Sequence, residues 1–345
     1  MTIEFRKVTQ QVRLLDPREN FAETSLSFEL RTDPLTHQTG RVISYRFALP
    51  EKPDLSGLIE MTQKMCPFCP EVIEQFAARF PKDFIPEGKI SRGEVTVVPN
   101  LMPYSKYGAV AAISKKHFIS LDGFTNDVIS EGLMACQSYF AKVLEYDSEA
   151  KYYSMGWNYM PVAGGSIVHP HLQAEADTYP FHYQGKLFEA SMSYTQTHSS
   201  NYWADLVNKE KELGERYIDN TGSIVWLAPY LPRGKIYPDV MAIFCERDSM
   251  LNITETEWHD FTTGLCRVLN YLSDQNFYGC NMALYSGLLD QDYFWTHVRI
   301  TPRGTFPPLD VSDHDHIQRF QDEYCACRLP EEVCTELQEY FNSVP

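Results

Sequence analysis

Apolar and polar positions alternate in short runs along most of the chain, and two long stretches switch to helical spacing. The first helical stretch runs from Asp127 to Leu144, with Val128, Leu133, Ala135, Tyr139 and Val143 on one face. The second runs from Thr256 to Leu272, with Trp258, Phe261, Leu265, Val268 and Leu272 in the same relation. Each is preceded by two β-rich runs, the first of them ending in a proline-punctuated turn: Gly93–Tyr104 then Ala109–Ser114, and Gly222–Pro232 then Asp239–Phe244. Each is followed by a strand carrying an asparagine, Trp157–Met160 and Cys280–Leu284. A strand carrying a histidine closes each series, Ile167–Gln173 and Trp295–Ile300. The order strand, turn, strand, helix, strand, strand therefore occurs twice. It predicts an α+β fold of mainly antiparallel sheet with packed helices, in two related halves. The division is expected at 1–205 and 206–345, with the charged run Lys209–Arg216 as a linker helix.

The length of 345 residues fits two such units at about 150 residues each. Acidic residues outnumber basic ones 46 to 30, a formal charge of −16. Such a surface repels nucleic acid and anionic lipid, so neither is an expected partner. An anionic substrate would need a few Arg or Lys side chains gathered against that field. Met1–Leu30 has no apolar targeting core, and no run of about 18 apolar residues exists to span a membrane. The nine cysteines form no even secreted framework, so a reducing cytoplasm is the expected location. Cys136, Cys245, Cys266 and Cys280 lie in apolar runs and read as core thiols, and Cys325, Cys327 and Cys334 as structural ones.

Candidate chemistry concentrates in two places. The run Asn158-Tyr-Met-Pro-Val-Ala-Gly-Gly-Ser-Ile-Val-His-Pro-His-Leu-Gln173 ends in an alternating segment, read as a strand over 167–177. Strand geometry would put His169, His171 and Gln173 on one face, which is not a core pattern. Pro170 cannot donate to a ladder and marks an edge or an irregularity. Gly164 and Gly165 let a backbone approach a ligand, and Ser166 can offer a hydroxyl to a phosphate oxygen. The second place is Cys66-Pro-Phe-Cys69, whose spacing allows two thiolates to grip one zinc ion, with His117 and His169 as candidate partners. A redox dithiol or an empty knuckle are the alternatives, although the βαβ context of a redox dithiol is missing. Pro70 after Cys69 fits the first turn of a helix over 72–80.

Glu29-Leu-Arg-Thr-Asp-Pro-Leu-Thr36, the Cys-Pro-Phe-Cys-Pro knuckle and the Asn158–Gln173 run together resemble the galactose-1-phosphate uridylyltransferase family. That family is a branch of the histidine-triad superfamily built from two fused triad-like halves. The resemblance covers about residues 28–178 with specific motifs and continues weakly to about 303. It implies that His171, the second histidine of His-Pro-His, is the nucleophile, with Gln173 beside it. It implies a zinc site of Cys66, Cys69, His117 and His169. It also assigns nucleotide and phosphate contacts to Arg46, Asn100, Asn158, Ser166 and Gln173, beside the Gly164 and Gly165 already read as a place of close backbone approach to substrate. The implied activity is nucleotidyl transfer through a covalent nucleotidyl-histidine, from a nucleotide-sugar or dinucleotide to a phosphate or sugar-phosphate acceptor. A homodimer is the expected assembly. A nucleotide hydrolase and a non-catalytic zinc-containing nucleotide-binding protein are the alternatives. Hydrolytic histidine-triad proteins usually carry a third histidine where this chain has Gln173, which cannot act as an acid at neutral pH. The chain has Leu101 where the family usually has an aspartate, and Glu71-Val-Ile-Glu after its knuckle, so the base and the sugar stay open. The second half keeps His297 but has Arg299 where iron-containing members have a histidine, so no iron is expected. Arg299 and Arg303 either face an anionic substrate or are ion-paired.

Overall fold

The alternating runs become strands in a computed structural model of the chain, which describes residues 3–44, 51–235, 237–305 and 313–342. In chain order the strands are β1 (Arg6–Asp16), β2 (Ala22–Thr32), β3 (Thr39–Val42), β4 (Ile90–Arg92), β5 (Val95–Pro99), β6 (Tyr107–Ala112), β7 (Tyr152–Tyr159), β8 (His171–Asp177), β9 (Tyr217–Thr221), β10 (Ile224–Leu227), β11 (Val240–Phe244), β12 (Gly279–Tyr285), β13 (His297–Arg303) and β14 (Tyr324–Ala326). The helices are α1 (Ser56–Gln63), α2 (Ile73–Phe76), α3 (Asn126–Tyr146), α4 (His182–His198), α5 (Tyr202–Leu213), α6 (Glu255–Asp274), α7 (His316–Phe320) and α8 (Pro330–Asn342).

Ten strands form one sheet in the order β4-β5-β6-β8-β7-β12-β13-β11-β10-β9. The order reads the same way outward from its centre: β7, β8, β6 and β5 on one side match β12, β13, β11 and β10 on the other. Every pairing in it is antiparallel. The two related halves are thus joined through the β7–β12 ladder. Counted from their first residues, Gly156 of β7 corresponds to Ala283 of β12, and these two lie opposite each other. A pseudo-twofold axis passes there.

Strand period two sends alternate side chains to opposite faces of the sheet. On one face Val97, Ala111, Leu172, Trp157, Leu284, Val298, Ala242 and Trp226 join a single core with α3 and α6. Each of these helices starts on a threonine cap: Thr125 accepts from Val128 N, and Thr254 forms a capping box with Glu257. The other face is treated unequally. Over the second half, Leu187, Phe188, Trp203, Leu206 and Val207 of α4 and α5 pack on Val225, Leu227, Met241 and Ile243. Over the first half, Val98, Val110, Asn158, His171 and Gln173 line an open cavity.

Three sequence expectations are corrected. The charged run at 209–216 belongs mostly to α5, an amphipathic helix whose buried Tyr202, Trp203, Leu206 and Val207 cover the sheet rather than link two bodies. Position 205 lies inside it. The helix expected over 72–80 is a single turn, Ile73–Phe76. The strand expected from Ile167 begins at His171, because Pro170 has no N–H for the ladder and its carbonyl instead accepts from Ile113 N at 3.1 Å. A second sheet, β1-β2-β3-β14, has no counterpart in the repeat.

Candidate active site

The candidate metal ligands come from three separate segments, the knuckle, the loop at His117 and the segment before β8, and converge. The ligand atoms of Cys66, Cys69, His117 and His169 all lie within 4.8 Å of one another, and all four residues are buried. His169 Nδ1 is 3.6 Å from Cys66 Sγ and 3.8 Å from Cys69 Sγ, and His117 Nδ1 is 3.5 Å from Cys69 Sγ. A tetrahedral zinc with Zn–S of about 2.3 Å and Zn–N of about 2.05 Å has S···N edges of about 3.6 Å. The far ring nitrogens are already committed. His169 Nε2 donates to the Ser114 carbonyl at 2.7 Å. His117 Nε2 lies 3.0 Å from Thr62 Oγ1, whose own proton goes to the Leu58 carbonyl, so the imidazole is the donor there. Both Nδ1 lone pairs are therefore aimed inward, the arrangement that holds metal-binding histidines in one tautomer. Burial pushes His169 down to about 4 and lowers His117, while burial and the Cys66 thiol push Cys69 up to about 12. Neutral imidazoles suit a cation, and the donor set is that of a closed structural zinc site.

His171 sits two residues on, with its ring on the opposite errand. Its Nδ1 donates to the His169 backbone carbonyl at 2.7 Å, which leaves the Nε2 lone pair for the cavity it lines. Burial holds the imidazole below its ordinary pKa, toward the neutral form. The cavity has a volume of about 420 Å³, within the range of small-molecule sites. Its lining brings together Asn100, Asn158, Gly164, Gly165, Ser166, His171 and Gln173, seven of the eight residues assigned to substrate and catalysis from the sequence. The eighth, Arg46, lies outside the described residues. His169 is not on the His171 and Gln173 face as strand alternation had implied, because it precedes β8 and turns to the knuckle.

The backbone explains the glycines. Met160 and Gly164 adopt φ of +71° and +83°, and the turn between them closes through Gly165 N donating to the Met160 carbonyl at 3.2 Å. A Cβ on Gly165 would come within 2.4 Å of the Asn158 carbonyl oxygen, so only glycine fits. Asn100 closes its own turn, its Oδ1 accepting from Met102 N at 3.0 Å. Sequence reasoning missed the apolar part of the lining: Phe68, carried between the two knuckle cysteines 5.7 Å from the His171 ring, and the exposed Leu101, Met102 and Tyr104 at the mouth. Their signal was a run of large side chains in a segment that forms a bend, not a strand. The expected gathering of cations is not met by the described lining residues, none of which is charged.

No family model matches the chain. An uncharacterized protein of Archaeoglobus fulgidus is 30% identical over 347 residues, spanning 99% of this chain and all of that one. The chain belongs to one family with it. Among solved structures, an Arabidopsis thaliana ADP-glucose phosphorylase with bound ADP-glucose superposes at a TM-score of 0.70, covering 90% of this chain and 99% of that one at 18% identity. A GalT-like protein from the same plant gives 0.68 and a uridylyltransferase 0.64, each at 18% identity over 90% of this chain and 98% of the other. At that identity the likeness is of the fold: the chain has the two-halved α+β fold of these GalT-like, ADP-glucose phosphorylase and uridylyltransferase structures.

In this uridylyltransferase fold the second half repeats the setting of His171 and then closes it. β13 begins at His297 as β8 begins at His171, and His297 Nδ1 lies 3.0 Å from the Trp295 carbonyl in the same two-residue relation. Trp203 of α5 stacks on its ring at 4.0 Å and Tyr285 at 5.2 Å, leaving it buried. Arg299 and Arg303, the candidate cations of the second half, are ion-paired: Arg299 with buried Asp239 at 2.9 Å, Arg303 with Asp313. No helix among the described residues is long and apolar enough to cross a membrane.

Proposed function

We propose that the chain is a nucleotidyltransferase or nucleotide-sugar phosphorylase that works through a nucleotidyl-His171 intermediate. The observation that carries this reading is the His171 ring, held by its Nδ1–H so that a neutral Nε2 faces a cavity of nucleotide size. Nε2 attacks the α-phosphorus of a nucleotide-sugar or dinucleotide. A P–N bond forms, and the bond to the bridging oxygen breaks, so that the outer phosphate leaves with its group. The oxygen of an acceptor phosphate or sugar phosphate then attacks from the vacated side and releases the imidazole. Nδ1–H stays on the ring throughout, and the His169 carbonyl stabilises the positive charge that the ring acquires. Gln173, Asn158 and Ser166 are the donors for the phosphoryl oxygens, Asn100 lies beside the nucleoside, and Arg46 supplies a phosphate contact. The apolar mouth at Leu101, Met102 and Tyr104 suits the face of a base.

Zinc at Cys66, Cys69, His117 and His169 would cross-link the knuckle to the segment before β8 and take no part in the chemistry. The catalytic half lies within residues 1–205 and the degenerate half within 206–345, with α5 spanning the boundary and covering the second half. The working assembly is a homodimer in the cytoplasm. A direct test is turnover of UDP-, ADP-, GDP- and CDP-sugars with and without inorganic phosphate. Because Gln173 is no acid, product formation should require phosphate or a sugar phosphate; equal rates without any phosphate acceptor would make the protein a hydrolase instead.

A further inference from the structure

We infer that Asn281 and Arg303, in the second half, set the polarity of Gln173 and so make it a hydrogen-bond donor to phosphate. The inference rests on the nucleotidyl-transfer reading and adds positioning residues to that site. The argument starts from Arg303, whose guanidinium has donors only. Its Nε clasps Asp313 at 2.9 and 2.7 Å, and its Nη1 donates to Asn281 Oδ1 at 2.8 Å. The oxygen of Asn281 is thereby fixed toward Arg303, and its Nδ2 must point the other way. There it donates to the Ala163 carbonyl at 2.8 Å and to Asn158 Oδ1 at 2.7 Å. The Ala163 carbonyl can only accept, which fixes the same orientation independently. Asn158 then has its Nδ2 directed at Gln173 Oε1, 3.2 Å away. What remains of Gln173 is its Nε2, which has no protein acceptor among the described residues and belongs to a side chain lining the cavity.

Each amide in this chain could be turned over in isolation, but flipping any one sets two donors or two acceptors against each other. The sequence of bonds therefore has one direction, anchored at an arginine outside the cavity. It crosses from one half to the other where Asn158 lies opposite Asn281 on the central ladder. The pseudo-symmetric position pairs Ser154 with Tyr285, so the device serves the open side of the molecule only. It also bears on the uncharged lining. A line of polarised hydrogen bonds strengthens its terminal donor, so Gln173 meets the phosphate as a stronger donor than an isolated amide.

The test is reversal of the polarity by an isosteric change. In Asn281→Asp the carboxylate still accepts from Arg303 but cannot donate. Asn158 then turns to donate to it, and Gln173 turns to donate to Asn158, presenting an oxygen to the anion. Titration calorimetry of the zinc-loaded full chain with UMP, AMP, GMP and CMP gives the readout. For the tightest-binding nucleotide, Asn281→Asp should weaken affinity by about 30- to 100-fold, the scale of a lost hydrogen bond to a charged group. In a Gln173→Ala background the same substitution should cost less than about threefold, since it acts through Gln173. A merely structural or long-range charge effect would persist in both backgrounds. Should Asn281→Asp unfold, Arg303→Met removes the anchor while leaving the amides. It should weaken binding several-fold, and again only when Gln173 is present. Unchanged affinity in these variants, or equal losses in both backgrounds, would overturn the relay while leaving the nucleotidyl-transfer reading intact. A wild-type chain that binds none of the four nucleotides would overturn that reading and the relay with it.

Discussion

On the proposed reading, two histidines separated by one proline divide two incompatible tasks. A ring nitrogen bound to metal has no lone pair left for phosphorus, so the histidine whose Nδ1 faces Cys66 and Cys69 cannot also be the nucleophile. His169 takes the first role because Pro170 keeps it out of the β8 ladder and its Nε2 finds the Ser114 carbonyl. His171 is the first residue of the strand, and its Nδ1 is fixed by the carbonyl of His169 itself. The residue proposed to close the metal cluster thus also orients the His171 ring. Truncating His171 should remove the chemistry without touching the fold. His171→Gly should purify folded with its zinc and show no detectable nucleotide-sugar turnover, a loss of at least about 10³-fold. A nucleotidyl-imidazole supplied from solution should restore transfer to the acceptor, because the space of the lost ring can take it. Turnover near the wild-type rate would remove His171 from the mechanism.

At the scale of elements, the two halves differ by what covers one face of a shared sheet. β8 and β13 start on corresponding histidines, but α5 places Trp203 on His297, whereas the knuckle places Phe68 beside His171 and leaves the cavity open. The knuckle itself has little to hold it besides the metal ligands. α1 and the single turn α2 flank it, and neither contains a buried residue. Zinc removal should therefore act locally. Cys66→Ser, or chelation of the wild type, should release about one zinc per chain. It should also lower the thermal midpoint by roughly 5–10 °C, from a loss of about 3 kcal/mol. An unchanged midpoint would show that the four residues stabilise one another without metal. The repeat of strands and helices was legible in the sequence because α3 and α6 keep strict helical spacing behind threonine caps. β8 was misjudged by four residues, since alternation continues through 167–170 while Pro170 breaks the ladder. α5 read as a charged linker because its polar face dominates Lys209–Arg216, while its apolar anchors Tyr202, Trp203, Leu206 and Val207 precede that run.

In the whole molecule one continuous sheet brings together residues that the sequence separates by more than a hundred positions. The catalytic candidates were legible because most of them lie in one run, Asn158–Gln173, and carry residue types that a core does not use. The candidate metal cluster was legible as a set of ligand types, although only the fold brings His117 to Cys69. Asn281 was not legible as part of the site, and Arg303 only as a candidate cation for the substrate, because the proposed relay follows from the pairing of β7 with β12, and strand pairing leaves no local trace. The same architecture places His171 in a cavity whose described lining residues are uncharged, on a protein whose net charge is −16. On the proposed reading, binding there draws on oriented donors together with Arg46 rather than on a general positive field. The central claim is that His171 becomes covalently nucleotidylated, and intact-protein mass spectrometry after incubation with UDP-, ADP-, GDP- and CDP-sugars in the absence of phosphate tests it most directly. The account predicts a mass gain of one nucleoside monophosphate with one of the four, mapped by fragmentation to His171, acid-labile as a P–N bond is, and lost on addition of phosphate. No adduct with any donor, or an adduct on another residue that survives in His171→Gly, would contradict it.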